Sequence, residues 1–459
     1  VLAVPGQISG GEMGGQLSKW TISYFAVSIA WLIGAEGLMV AGYGFPSADI
    51  AAPDTLVVVH MVCIGWLSMA MCGALFQFVP VLVAKPLYAE NWTLPALVLL
   101  TVGLMALLAG FLALGGRLPS WSWLLPLGAL LLIAGFAVVA LDLALTLWTA
   151  RPLPQQARFV GVGLLAVTAT VLLGGTFSLA LSGQAIGPLA SAMLASGVPV
   201  HAIAGLGGWL TLTAMGVSYR LLSMFMLSPD PDPRKSRTTL LAGSTTLTLA
   251  VVGGVFAIAV VADLSLVLSL AAAAGLLTLG FYGRDIRTLY AGRKRRTLEL
   301  NTRMAVWSFA SLAGAAALGL ALALAASFVL HVGAVVFLVV FGWLSGLILA
   351  NLYKIVPFLT WLETYGPVMG RTATPRVQDL VAERRASKWF ALFFVSTWAA
   401  TAALLAQQQF VFRATAVAMA VATLCIVQEF VRARRLADVA EKLRLPAGVC
   451  APHLLFSRS

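Results

Sequence analysis

Apolar residues run along this chain in stretches of about 20, the length that crosses roughly 30 Å of hydrocarbon as helix. Polar residues gather between the stretches instead of alternating within them. Twelve such runs begin near Trp20, Pro53, Thr93, Ser120, Gln156, Pro199, Arg237, Leu264, Arg303, Phe328, Ala386 and Val411. Continuous runs predict helices, whereas a membrane barrel would alternate. The predicted fold class is an all-α integral membrane protein with twelve transmembrane helices.

One phrase returns in three of the runs. Gly65-Trp66-Leu67-Ser68 leads to Gly73, Phe76 and Pro80; Gly208-Trp209-Leu210-Thr211 leads to Gly216 and Tyr219; Gly342-Trp343-Leu344-Ser345 leads to Tyr353 and Pro357. Each marks the second of four runs. The chain therefore reads as three pseudo-threefold four-helix units, approximately 20–150, 156–291 and 303–433, in a single membrane domain spanning 1–459. Residues 434–459 form a cytoplasmic surface tail, where charges interleaved with Val and Leu from Arg432 to Leu445 predict a helix on the membrane surface. The semi-apolar stretch Gln184 to Val198 predicts a short helix at the outer face.

Composition changes the picture only where charge is concerned. Hydrophobic residues make up 60% of the 459 positions and charged residues 10%, which excludes a soluble globular domain. A formal charge of +12 would suggest nucleic acid in a soluble protein. Here the lysines and arginines fall at the termini or after even-numbered runs, with Arg117 and Arg413 opposite. That bias is the positive-inside rule and predicts cytoplasmic termini, contact with anionic lipid and no nucleic-acid partner. The first eighteen residues are polar and Gly-rich, unlike a cleavable signal. Cys63, Cys72 and Cys425 lie within runs and Cys450 in the tail, so no disulfide framework is predicted.

Candidate chemistry rests on ionisable residues inside the runs, which are costly there and tend to face the bundle interior. Three of the four histidines, His60, His201 and His331, precede the repeat glycine by five, seven and eleven residues, all near the outer ends. Imidazole is the usual axial ligand of a b-type haem and also binds metal ions. His60, His201 and His331 are thus candidate metal ligands, with His60 and His331 the leading haem pair. At about 100° per residue, His60 is turned roughly 160° from His201, and a shared iron requires tilt or a helix irregularity to absorb the offset. Arg413, in the outer loop before the last run, is a candidate anchor for a haem propionate. Glu36 and Asp142 are candidates for a proton or ion path. Gln77, Arg220 and Lys354 share one repeat position near the inner ends, a pattern that fits side chains snorkelling to the interface.

These features resemble the catalytic subunit of haem-copper oxidases and nitric oxide reductases, together with their divergent relatives among nitric-oxide-response membrane proteins. The likeness covers nearly the whole chain: twelve helices, cytoplasmic termini, three four-helix units and histidines near the outer ends of runs 2, 6 and 10. It implies that His60 and His331 match the low-spin haem ligands, His201 a copper ligand and Arg413 a propionate partner. The chain departs from that family where the active centre is made. His331 is flanked by Leu330 and Val332-Gly333 in place of a His-x-His pair, and the run from Thr238 to Val261 has no histidine. Oxygen or nitric oxide reduction of the familiar kind is accordingly not expected.

The resulting expectation is a protein of the prokaryotic inner membrane that binds haem b, with copper as a further candidate. It would act in electron transfer or in handling nitric oxide or oxygen near the outer face, beside a periplasmic or membrane redox partner. Two alternatives stand beside it: a twelve-helix secondary transporter and a cofactor-free structural subunit of a respiratory complex.

Overall fold

The computed structural model describes residues 19–119, 121–184, 187–446 and 449–457. The polar opening stretch, 1–18, lies outside the described residues, as does Ser120. Among the described residues twelve helices are long and apolar enough to cross a bilayer: α1 Thr21–Ala41, α2 Pro53–Val83, α3 Glu90–Leu114, α4 Leu124–Thr149, α5 Gln155–Leu181, α6 Val198–Met226, α7 Pro233–Ala259, α8 Leu264–Ala291, α9 Leu300–Leu324, α10 Phe328–Val368, α11 Glu383–Leu405 and α12 Gln409–Arg434. No strand occurs among the described residues.

The starts follow local chemistry. Pro53 and Pro233 sit in the first helical turn, where a missing N–H costs nothing. Asp232 and Asp263 cap α7 and α8 by accepting backbone N–H groups. Several helices begin a few residues before the apolar run, because a polar first turn belongs to the helix without adding to hydropathy. Arg413 is affected: it lies in the first turn of α12 and not in the loop before it. A short helix, Pro188–Ser196, occupies the stretch expected between α5 and α6. The surface helix expected over Arg432 to Leu445 is not formed. α12 ends at Arg434, the chain turns, and only Glu441–Arg444 is helical.

The repeat helices are the inner ones. Of the most apolar stretch, 72% is buried in α2 and in α10 and 56% in α6, against 11% in α8. In a bilayer such packing is driven by close van der Waals fit, because lipid is as apolar as leucine. The repeat glycines supply that fit: a Cβ at Gly73 would stand 2.5 Å from Tyr24 Cβ of α1, and one at Gly216 2.3 Å from Phe159 Cβ of α5. Other neighbours include α3 with α4, α4 with α5, α11 with α12, and α12 with α1.

All three inner helices change pitch at the repeat phrase. Met61–Ser68, Ile203–Leu212 and Leu338–Ser345 are π-helical. Widening the turn shifts the backbone bonding from i−4 to i−5 and turns every later side chain about the axis. Ser68 Oγ donates to Cys63 O at 2.7 Å and Ser345 Oγ to Val340 O at 2.8 Å, each five residues back, so the hydroxyls help satisfy carbonyls in the widened turn.

At this level the π segments of α2, α6 and α10 touch one another pairwise. Trp66 Nε1 donates to Ser345 Oγ (2.8 Å), Trp343 Nε1 to Thr211 Oγ1 (3.3 Å) and Trp209 Nε1 to Ser68 Oγ (3.0 Å). Each donor is the repeat tryptophan and each acceptor the hydroxyl two residues after the next one. The three bonds close a ring, which explains the Ser or Thr in the phrase as well as the Trp.

Candidate cofactor site at the histidine level

The end of the bundle where α2, α6 and α10 begin is called the histidine side here, and the opposite end, with residues 435–457, the tail side. His60, His201 and His331 stand six, eight and twelve residues before their tryptophans, or roughly 9, 12 and 18 Å along a helix. That difference in depth separates them. His331 lies in the first turn of α10 next to exposed Val329 and Leu330, with no side-chain hydrogen bond or ring partner among the described residues.

His60 and His201 lie deeper. His60 packs against Phe111 of α3, ring centroids 5.0 Å apart, and His201 meets the edge of Phe177 of α5 at 5.5 Å. Gly174 makes room for the second imidazole, since a Cβ there would be 3.3 Å from His201 Cε1. Helices α2, α3, α4, α5 and α6 form a closed circuit of neighbours, and the two imidazoles project onto two of its walls.

The hydrogen bonds fix both tautomers. His60 Nδ1 is 2.7 Å from Leu56 O, and His201 Nδ1 is 3.1 Å from Thr170 O. A carbonyl oxygen only accepts, so each Nδ1 carries the proton and each Nε2 keeps its lone pair. An imidazole oriented through Nδ1–H on a backbone carbonyl is the arrangement in which Nε2 serves as a ligand. Of the sequence-predicted histidines, His60 and His201 share this arrangement, while His331 has no side-chain hydrogen bond among the described residues.

The remaining candidates have partners. Arg413 Nε donates to Val40 O at 3.0 Å and packs on Gly42, closing the end of α1. Arg117, also on the histidine side, bonds Asp54 at 2.8 Å, and Asp54 also accepts from Tyr43 Oη at 2.7 Å. Burial and this bond to Asp54 push the Tyr43 hydroxyl up to about 12. Glu36 is fully buried between α1 and α12; its Oε1 accepts from Thr423 Oγ1 at 2.8 Å and its Oε2 has no partner among the described residues. Asp142 lies toward the tail side, where Oδ1 accepts from Ala89 N at 2.8 Å and holds the segment after α2.

Asp142 has counterparts that the sequence reading passed over. Asp285 of α8 accepts from Tyr219 Oη and Thr239 Oγ1, both at 2.9 Å, and pairs with Arg284. Glu429 of α12 takes two 2.6 Å bonds from Arg385. Asp142 and Asp285 stand at equal sequence distances after Trp66 and Trp209, so the repeat frame carried a signal for them. A buried Arg434–Glu363 pair at 2.8 Å was also missed; its arginine holds the chain beyond α12 through His453 O and Phe456 O. Of the snorkelling trio, Arg220 meets exposed Asp230, and Lys354 is paired with Glu299 at 2.6 Å.

Chemically, the histidine level offers two imidazole lone pairs within aromatic and aliphatic walls. Among the described residues no three His, Cys, Asp or Glu side chains gather as a metal cage. A haem needs only one or two axial donors from the protein, so this donor set fits a haem, whereas a copper ion held by protein ligands alone would ask for more. A scan of protein-family models returned no match for this chain, and neither did a search of curated proteins.

Proposed function

We propose that this chain is a haem-binding membrane protein on a scaffold like that of oxidase subunit I, acting in electron transfer or in handling nitric oxide or oxygen. In this reading α1–α4, α5–α8 and α9–α12 are three related units around the tryptophan ring, the termini are cytoplasmic and the histidine side faces outward in a prokaryotic inner membrane. The ring supports the threefold arrangement, because one donor and one acceptor come from the same phrase in each inner helix. A periplasmic or membrane redox partner belongs to the same reading.

The observation that carries the cofactor reading is the shared orientation of His60 and His201: each imidazole directs Nδ1–H at a backbone carbonyl and keeps the Nε2 lone pair. Either imidazole would hold haem iron, and bound haem would supply a one-electron couple and a diatomic-ligand site. What the chain contributes is orientation through Leu56 O and Thr170 O, and a lining of Phe111 and Phe177 that limits water. Copper at His201 remains part of the proposal only with donors beyond the protein's own.

The test is a reduced-minus-oxidised optical spectrum with iron and copper analysis of purified protein, for wild type, His60→Ala, His201→Ala and His331→Ala. Expected is a b-type haem spectrum that is lost or shifted in the first two variants and kept in the third. Protein purified from haem-replete cells with neither iron nor copper would overturn the reading.

A further inference from the structure

A second polar feature lies at the opposite end of the bundle, in the third group of helices, and rests on none of the histidines. A small pocket on the tail side is lined by Asn301 of α9, Tyr353 and Lys354 of α10, Glu299 and Gln378. Asn301 and Tyr353 are 3% and 4% exposed, and neither Asn301 Oδ1 nor Tyr353 Oη has a hydrogen-bond partner among the described residues. Leaving a buried polar atom without a partner is unfavourable, because it has lost its hydrogen bonds to water. Two of them at one pocket point to something that satisfies both.

Comparison within the chain sharpens the point. At the matching repeat position α2 has Phe76, which needs no partner, and α6 has Tyr219, whose hydroxyl donates to Asp285. Near α10 the carboxylate of Glu429 is already held by Nε and Nη2 of Arg385. Tyr353 Oη is therefore the one repeat hydroxyl left to face the pocket. At the mouth, Lys354 and Glu299 are paired at 2.6 Å, with Gln378 Nε2 on Glu299 at 3.1 Å. The ligand must donate to Asn301 Oδ1 and bond Tyr353 Oη, and the pocket has room for about one water molecule. Phosphate, a lipid headgroup or a free amino acid would not fit.

We propose that this pocket is a water inlet: a bound water bridges Asn301 Oδ1 and Tyr353 Oη and exchanges with tail-side solvent past the Glu299–Lys354 pair. The inlet brings exchangeable protons to the base of α10.

The native cysteines calibrate a test, because exposed Cys450 is a wet reference and buried Cys72 a dry one. In Asn301→Cys, thiol modification by a small water-soluble methanethiosulfonate is followed peptide by peptide by mass spectrometry. Only a hydrated thiol ionises and reacts quickly, so labelling of the introduced thiol within about 10-fold of the Cys450 rate is expected. Labelling as slow as that of Cys72 would overturn the inlet. Should the variant not fold, radiolytic hydroxyl labelling of the wild-type chain decides: a bound water makes buried Tyr353 a labelled residue, and an unlabelled Tyr353 sinks the proposal. Neither readout involves haem, so the inlet and the cofactor reading stand or fall separately.

Discussion

Trp209 Nε1 donates a 3.0 Å hydrogen bond to Ser68 Oγ across 141 residues of sequence, and with its two counterparts this contact joins the three most buried helices at one level. Ser68→Ala leaves a buried indole N–H without an acceptor. The expected loss is about 1–2 kcal/mol, the upper range for hydrogen bonds inside membrane proteins. Thr211→Ala should cost less, because its bond to Trp343 is longer at 3.3 Å. Unfolding in mixed micelles measures both, and a Thr211→Ala loss exceeding that of Ser68→Ala would refute the ordering.

Close approach at the repeat glycines gives a second expectation. Gly73→Ala and Gly216→Ala place a methyl group within 2.5 Å of Tyr24 Cβ and 2.3 Å of Phe159 Cβ, so each should destabilise by about 1–3 kcal/mol. Gly161→Ala and Gly283→Ala meet nothing within 4 Å and should be neutral or gain up to about 1 kcal/mol of helix propensity. Thermal melts of the four variants distinguish packing from a general intolerance of glycine replacement.

Arg385 bridges Glu429 at 2.6 Å and Asp438 at 2.7 Å. Arg385→Ala strands the buried Glu429 carboxylate, while Arg385→Met with Glu429→Leu removes both charges. Breaking such a pair costs up to about 3–5 kcal/mol when fully buried, and replacing both partners is close to neutral; at 34% exposure of the Arg385 side chain the single variant should fall below that range. The double variant should be the more stable of the two by the same unfolding assay.

Acid should loosen the same cluster. Burial acts to raise the Asp438 carboxyl, but hydrogen bonds from Arg385 and Arg432 outweigh it and hold the group at about 2. A depressed folded value means that the contribution to stability is complete above the ordinary carboxylate value of about 3.9 and is lost as pH falls from there toward about 2. Asp438→Asn should flatten the acid limb of the stability profile in that window. An unchanged acid limb would show that another carboxylate sets it.

The candidate site was legible in the sequence only in part. The histidines, the tryptophan phrase, Glu36 and Asp142 stand out because few polar residues occur within apolar runs. The serine and threonine of the phrase carried no visible role until their hydroxyls were seen accepting from tryptophans on other helices. Arg413 looked free because a sequence does not show that the last carbonyls of α1 lie beside it. Asp285 and Glu429 were hidden among the basic residues at the inner ends of their helices.

What the sequence determined by itself is local: twelve spans, their order, the repeated phrase and the side on which basic residues gather. Hydropathy and helix starts depend on neighbouring residues, so they can be read along the chain. Tertiary structure decided what each histidine touches. That outcome depends on the rotation of each helix about its axis, which the π segments alter, and on depth. His60 came to lie against Phe111 and His201 against Phe177, while His331 stands beside exposed Val329 and Leu330 in the first turn of its helix. Partnerships such as Trp209 with Ser68 follow from closure of the whole bundle, which no single apolar run encodes.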